Sequence, residues 1–302
     1  MKFLTAVFVS SVIISKLTGS DDPVVLNQGQ KPTIKFGVIA DAQYRDSEPA
    51  GTRFYRSSAV KLKQATASFK EDSVDFIVNL GDLIDGDFNS FEKVIQIIES
   101  PGIPVYHVAG NHDFAVEPGL KNKIPVLQSK KGYYSVSMEG FMFIFLNGNE
   151  ISNYASENKK KLKYAGELIN SMKEKSEINA IEWNGGISNN QLKWLNDQID
   201  KAAIANEKVI VMCHFPFFPE NVHNLLNYNE VLSLFTKKNN IAACFHGHNH
   251  HGNYGVFNNI HFITFHGMVE TENSNSYAIV ELYKDRMVIK GYGREPSRTL
   301  TY

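Results

Sequence analysis

Asp41, Asp82, Asn111, His214, His248 and His250 supply two carboxylates, one amide oxygen and three imidazoles, each placed at or just beyond the end of a short apolar run. Divalent ions of the Mn, Fe or Zn type take this mixture of oxygen and nitrogen donors. The six side chains suffice for two five- or six-coordinate ions if one carboxylate bridges and water completes the shells. Two ions about 3.5–4 Å apart can hold a hydroxide at neutral pH and clamp the attacking and leaving oxygens of a phosphoryl transfer. Two anionic ligands do not cancel four positive charges, so such a cluster stays cationic and attracts phosphate or diphosphate.

These residues need strands to deliver them. Val74 to Leu80 is apolar and ends in Gly81-Asp82-Leu83-Ile84-Asp85, a strand carrying a carboxylate to its C-terminal loop. Ile34 to Ala40 runs into Asp41-Ala42-Gln43, and Pro104 to Ala109 into Gly110-Asn111-His112-Asp113. Val209 to Cys213 ends at His214, and Ile241 to Phe245 at His246-Gly247-His248-Asn249-His250. In open α/β sheets, ligands bind in the crevice outside the C-terminal strand ends. A single Gly-Asp or strand-terminal His is commonplace, but five such ends in this order are not. His107, His223, His251, His261 and His266 lack the placement and receive no catalytic role, while His246 stays open between ligand and core.

Between the strands, the apolar spacing of Thr52 to Lys70 predicts a helix, with Arg53 and Arg56 near its start. Helices are also expected from Phe91 to Glu99 and from Asn189 to Ala205. Tyr133–Met138 and Phe141–Leu146 read as a hairpin, and Tyr277–Tyr283 with Arg286–Tyr292 as a closing antiparallel pair. Alternating βα units favour a layered α/β fold. Residues 147–188 carry the run Lys159-Lys160-Lys161, read as a solvated helix face, and are treated as an insertion in a domain spanning 33–302.

The chain has 302 residues, 43% of them hydrophobic, enough for a large core. Its 31 basic and 32 acidic residues give a net charge of -1, so no global field draws nucleic acid or an anionic membrane. Cys213 and Cys244 lie in apolar strands without Cys-x-x-Cys spacing and read as buried thiols, with a disulfide between neighbouring strands as the alternative in an oxidising compartment. Met1-Lys2, the apolar run Phe3 to Ile14 and the small polar Ser15 to Ser20 have the form of a signal peptide over residues 1–20, with a linker over 21–32. On that reading the protein is exported, to a periplasm or beyond, with no stable membrane insertion once the leader is removed; an uncleaved leader leaves it anchored or cytoplasmic.

The motif order resembles that of the calcineurin-like metallophosphoesterase superfamily, from about Ile34 to Tyr302. The resemblance implies a two-sheet α/β sandwich with flanking helices around a dinuclear metal site. It implies that Asp82 bridges, that Asp41 and His250 bind one ion, and that Asn111, His214 and His248 bind the other. Gln43 stands where the superfamily pattern usually has His. An amide oxygen in place of imidazole favours a harder ion such as Mn²⁺ over Zn²⁺.

Stretches outside the metal motifs narrow the likeness. Phe36 to Gln43 with Gly51-Thr52-Arg53-Phe54-Tyr55-Arg56, Asn184-Gly185-Gly186 with Gln191-Leu192-Lys193-Trp194-Leu195, Asn227-Tyr228, Val269-Glu270-Thr271 and Lys290 to Arg298 resemble the manganese-dependent ADP-ribose/CDP-alcohol diphosphatases. That resemblance implies hydrolysis of nucleoside diphosphate derivatives by a metal-bridging hydroxide. It places His112 to protonate the leaving phosphate. Asp85 and Asp113 are then expected to hold His112 or the ligand imidazoles in their tautomers, and Arg53, Arg56 and Arg294 to contact substrate phosphate. Phosphomonoesters or cyclic nucleotides are the alternative substrates for the same site. The loop Tyr44 to Ala50 is shorter than in animal members of that group, where it carries extra aromatics near the nucleoside.

Overall fold

In the computed structural model, residues 30–302 are described, and the expected leader and most of the expected linker lie outside them. The chain runs β1 (Ile34–Ile39), α1 (Ser57–Glu71), β2 (Phe76–Asn79), α2 (Ser90–Glu99), β3 (Val105–His107), then the hairpin β4 (Tyr134–Met138) and β5 (Phe141–Phe145). It continues through α3 (Lys159–Glu174), α4 (Asn189–Ile204), β6 (Lys208–Met212), α5 (Tyr228–Phe235), β7 (Ile241–His246), β8 (Asn253–Phe257) and β9 (Ile260–Thr264). β10 (Ser276–Leu282), β11 (Arg286–Gly293) and β12 (Arg298–Thr301) close it, and residues 32–302 form one unit.

The strands form two six-stranded sheets, ordered β12-β11-β10-β1-β2-β3 and β4-β5-β6-β7-β9-β8. β1, β2 and β3 are mutually parallel, as are β5, β6, β7 and β9. The side-chain period of two sends Phe36, Val38 and Phe76 to one face and Ile39 and Ile77 to the other. On the inner face, Phe36 stacks on Phe76 at 4.9 Å between centroids, and Phe143 of the other sheet meets Phe76 edge-on at 5.2 Å. These aromatic pairs lock sheet to sheet with quadrupole-favoured geometry. On the outer faces, α1 and α2 cover one sheet through Leu62, Phe69, Val94 and Ile98, and α4 and α5 cover the other through Leu195, Ile199, Val231 and Phe235. The result is the expected sandwich of two sheets between helices.

Some elements depart from the sequence expectations. α1 begins at Ser57, because Ala50 and Arg53 pair across a turn that holds Gly51 at φ +59°, so the two arginines precede the helix. β8, β9 and β12 were not expected. β8 and β9 turn on Asn258 and Asn259, both at positive φ, as a two-residue hairpin requires. The lysine run 159–161 does open a helix, α3, whose first turn is capped by the Asn158 side chain accepting from the Lys160 and Lys161 N–H groups. Both cysteines are buried and unbonded.

Candidate metal centre

All the parallel strands of both sheets end at one edge, and their loops meet there. The loop after β1 is zipped to the loop after β2, with Gln43 N donating to Asp82 O at 2.8 Å and Tyr44 N to Leu83 O at 3.1 Å. Asp113 braces the loops after β2 and β3, its carboxylate accepting from the N–H groups of Asp82 (3.0 Å), Leu83 (2.9 Å), Ile84 (3.3 Å) and Gly110 (2.9 Å). It therefore holds backbone, and not the imidazole expected of it. At Gly110, an added Cβ would fall 2.1 Å from Asp82 Oδ1, so only glycine lets these loops approach.

Across the sheet interface, His214 Nε2 stands 3.2 Å from Asp82 Oδ2 and 3.2 Å from Asn111 Oδ1. His250 Nε2 stands 3.5 Å from Asp41 Oδ1 and 3.1 Å from Gln43 Nε2, which in turn lies 3.2 Å from Asp82 Oδ2. The His248 N–H donates to the Asp41 carboxylate at 3.1 Å. The seven side chains read as ligands are thus brought together, with Asp82 between the group around His250 and the group around His214. Asp41, Gln43, Asp82 and His248 hold positive φ values of 51°, 43°, 53° and 66°. Non-glycine residues rarely adopt that region, and strain of this kind collects where side chains must be aimed.

The donor set fits a pair of divalent ions. Asp82, His214 and His248 each offer a ligand atom within 4.8 Å of the others, all buried. The buried Gln43 Oε1 has no hydrogen-bond partner, an acceptor that a cation would satisfy. Each imidazole engages one nitrogen outward: His214 Nδ1 with Leu80 O at 2.8 Å, His250 Nδ1 with Glu270 Oε1 at 2.7 Å, and His248 Nε2 with Asn184 Oδ1 at 2.9 Å. Such partners orient the ring and raise its basicity toward a metal.

Charge follows the same geometry. Burial opposes the Asp82 charge, but His214 and His112 outweigh it and hold the carboxyl well below the usual carboxylate range. Burial likewise opposes protonation of His214, yet Asp82 pushes it up to about 9. His250 is also pushed up to about 9, against burial, by Asp41 and Glu270. Imidazoles coordinate only when neutral, so metal binding here releases protons and weakens in acid.

His112 follows Asn111 on a single 3₁₀ turn, 112–114. Its N–H donates to Asp82 Oδ1 at 2.7 Å, and its Nδ1 lies 2.6 Å from Asp85 Oδ1. Burial alone would lower the imidazole, but the Asp82 charge and the Asp85 hydrogen bond raise it. Arg53 Nη1 stands 3.9 Å from Asp85 Oδ2 on the rim. Arg56 turns away, its side chain half exposed and paired with Asp46 at 2.6 Å and Glu48 at 2.5 Å. Arg294 donates to Gly267 O, and Gly267 packs against the His250 ring, so this arginine backs the wall behind His250. Both of these arginines are thus engaged by protein partners, where the sequence expectation gave them substrate phosphate.

Three residues at the centre carried no site role in the sequence reading. Asn184 and Glu270 lie far from any metal motif in the chain, and only their presence in the narrower resemblance marked them. His223, passed over because no strand precedes it, is folded back by its loop until its ring centroid is 5.4 Å from that of His248. His246, left open, is core: buried, packed on Phe217 and lowered to about 3 by burial.

Residues 34–252 match the family described as calcineurin-like phosphoesterase. The manganese-dependent ADP-ribose/CDP-alcohol diphosphatase of Xenopus laevis is 30% identical over 327 residues, covering 90% of this chain and 92% of that protein. The human enzyme of the same name is 28% identical over 93% of this chain and 96% of its own length. A dimetal phosphatase from Danio rerio superposes with a TM-score of 0.82 at 28% identity, over 90% of this chain and all of that one.

Proposed function

The chain belongs to the calcineurin-like phosphoesterase family, with the manganese-dependent ADP-ribose/CDP-alcohol diphosphatases, and from that premise we propose that it hydrolyses the phosphoanhydride of ADP-ribose and CDP-alcohols. The products are a nucleoside monophosphate and a phosphorylated partner, ribose 5-phosphate or a phosphoalcohol. The observation that carries this is the cross-sheet donor set around Asp82, built on a chain similar to those enzymes along some nine-tenths of its length.

Asp41, Gln43, Asp82 and His250 would hold one Mn²⁺, and Asp82, Asn111, His214 and His248 the other. When bound, the two ions supply a water nucleophile at neutral pH and neutralise the diphosphate. The protein does the rest. His112 is aimed by its backbone bond to Asp82 and by Asp85 at its Nδ1, so Nε2 is the atom that donates a proton to the leaving phosphate oxygen. Arg53, on the rim beside Asp85, offers a planar fork to the substrate's phosphates. The strained loops hold the carboxylates in place before substrate arrives, so little reorganisation is left for the reaction.

We also read residues 1–20 as an export signal, on the apolar run behind Met1-Lys2. Among the described residues no helix is long and apolar enough to cross a membrane. N-terminal sequencing of the protein from its native source, showing an uncleaved Met1, would dispose of the leader.

The deciding experiment is product analysis with ADP-ribose, CDP-choline, a cyclic nucleotide and an aryl phosphate, each with Mn²⁺, Mg²⁺ or chelator. AMP and CMP formed with Mn²⁺ support the proposal. Turnover confined to the aryl phosphate or cyclic nucleotide retains the family and overturns the substrate class.

A further inference from the structure

We infer that Asn184 fixes the tautomer of His248 and so assigns its Nδ1 to the metal, an inference that rests on the metal-dependent reading of the site. Asn184 is fully buried in the loop between α3 and α4, 64 positions before His248. Its amide cannot turn over. Nδ2 donates to Asn179 O at 2.9 Å and to Val222 O at 2.7 Å, so both amide hydrogens are spent, and a flipped group would aim Oδ1 at two carbonyl oxygens. Oδ1 is therefore the atom 2.9 Å from His248 Nε2, and it can only accept. A hydrogen bond forms there only if Nε2 carries the hydrogen. A neutral imidazole has one N–H, which leaves the Nδ1 lone pair free.

The other two imidazoles do the reverse. His214 and His250 turn Nδ1 outward, to Leu80 O and Glu270, and keep Nε2 for the centre. A ring nitrogen of His248 falls within 4.8 Å of the ligand atoms of Asp82 and His214, and with Nε2 taken by Asn184 that role falls to Nδ1. Left to itself a neutral imidazole mixes its two tautomers. A remote loop thus selects one of them, and the segment treated as an insertion completes the centre. The same loop is tied to the chain around His223, because Asn179 Nδ2 donates to Leu225 O at 2.9 Å. Asn184 acts through His248 and is a positioning residue.

The test uses the full-length protein stripped of metal. Calorimetric titration of Asn184→Ala with Mn²⁺ is expected to show one of two equivalents weakened about 10- to 100-fold and the other unchanged. Asn179→Ala, which loosens the loop but leaves the Asn184 amide, is expected to keep both affinities. Equal weakening by Asn179→Ala, or wild-type binding by Asn184→Ala, overturns the inference. Nitrogen-15 spectra of histidine-labelled, metal-free wild type give a second readout that needs no variant to fold. Hydrogen on His248 Nε2 supports the inference, and hydrogen on Nδ1 overturns it. Failure of the wild type to bind Mn²⁺ overturns the metal-dependent reading instead, and leaves the tautomer spectrum to judge Asn184.

Discussion

His112 and Asp85 form a pair whose joint removal has a distinctive signature. The imidazole and carboxylate are 2.6 Å apart, Nδ1 to Oδ1, in a charge-assisted contact only partly open to water, with the side chains 23% and 14% exposed. A hydrogen bond to a charged group is worth about 1.5–3 kcal/mol. At about 1.4 kcal/mol per factor of ten, Asp85→Ala should lower kcat by roughly 10- to 150-fold. His112→Ala removes the acid itself and should lower kcat by about 10²- to 10⁴-fold. If Asp85 acts only by aiming His112, the double variant should be no slower than His112→Ala, because groups acting as a unit are not additive. Initial rates of AMP or CMP release at saturating Mn²⁺ measure kcat for all four proteins. Calorimetric titration checks that both metal equivalents are retained. Losses that multiply in the double variant would refute the pairing, and unchanged turnover in His112→Ala would remove the acid from the mechanism.

Two further outcomes follow from packing and burial. Gly110→Ala places a Cβ 2.5 Å from Asp82 N and 2.1 Å from Asp82 Oδ1, so Asp82 must shift. We expect loss of Mn²⁺ binding together with about 1–3 kcal/mol of stability, read by calorimetry and denaturant melts; wild-type metal affinity would contradict the close approach. Burial lowers His107 from 6.5 to about 4. Between those values the unfolded chain binds a proton that the native chain does not, so this residue adds stability as pH rises and loses it as pH falls, by up to about 1.4 kcal/mol per pH unit. His107→Gln should flatten the stability profile between pH 6.5 and 4 by that amount, and an unchanged slope would show that His107 is protonated in the fold.

The strand ends were legible because a strand's chemistry is local. Five apolar runs of the right length each end in a polar donor, and period-two burial marks Phe36, Val38 and Phe76 as inward-facing. The hairpin of β4 and β5 and the pairing of β10 with β11 were legible for the same reason. The ion pairs of Arg56 with Asp46 and Glu48 were not legible, because its direction depends on a turn, Ala50 to Arg53, that delays the start of the helix. β8 and β9 were missed because Asn258-Asn259 is a weak turn signal beside a dense metal motif.

What the sequence determined by itself is the inventory: which donor types exist, that they stand at strand ends, and that together they suit two hard or borderline cations. Their companions were set by folding. Asn184 stands 64 positions from His248 and Glu270 20 from His250, while His223, nine residues beyond His214, follows a loop; nothing in their own neighbourhoods says what they face. Asp113, beside His112 in the chain, was claimed by the N–H groups of two loops. Hydrogen-bond partners and ring tautomers are set by whichever groups the folded loops bring within about 3 Å, a distance that covalent order fixes only for near neighbours.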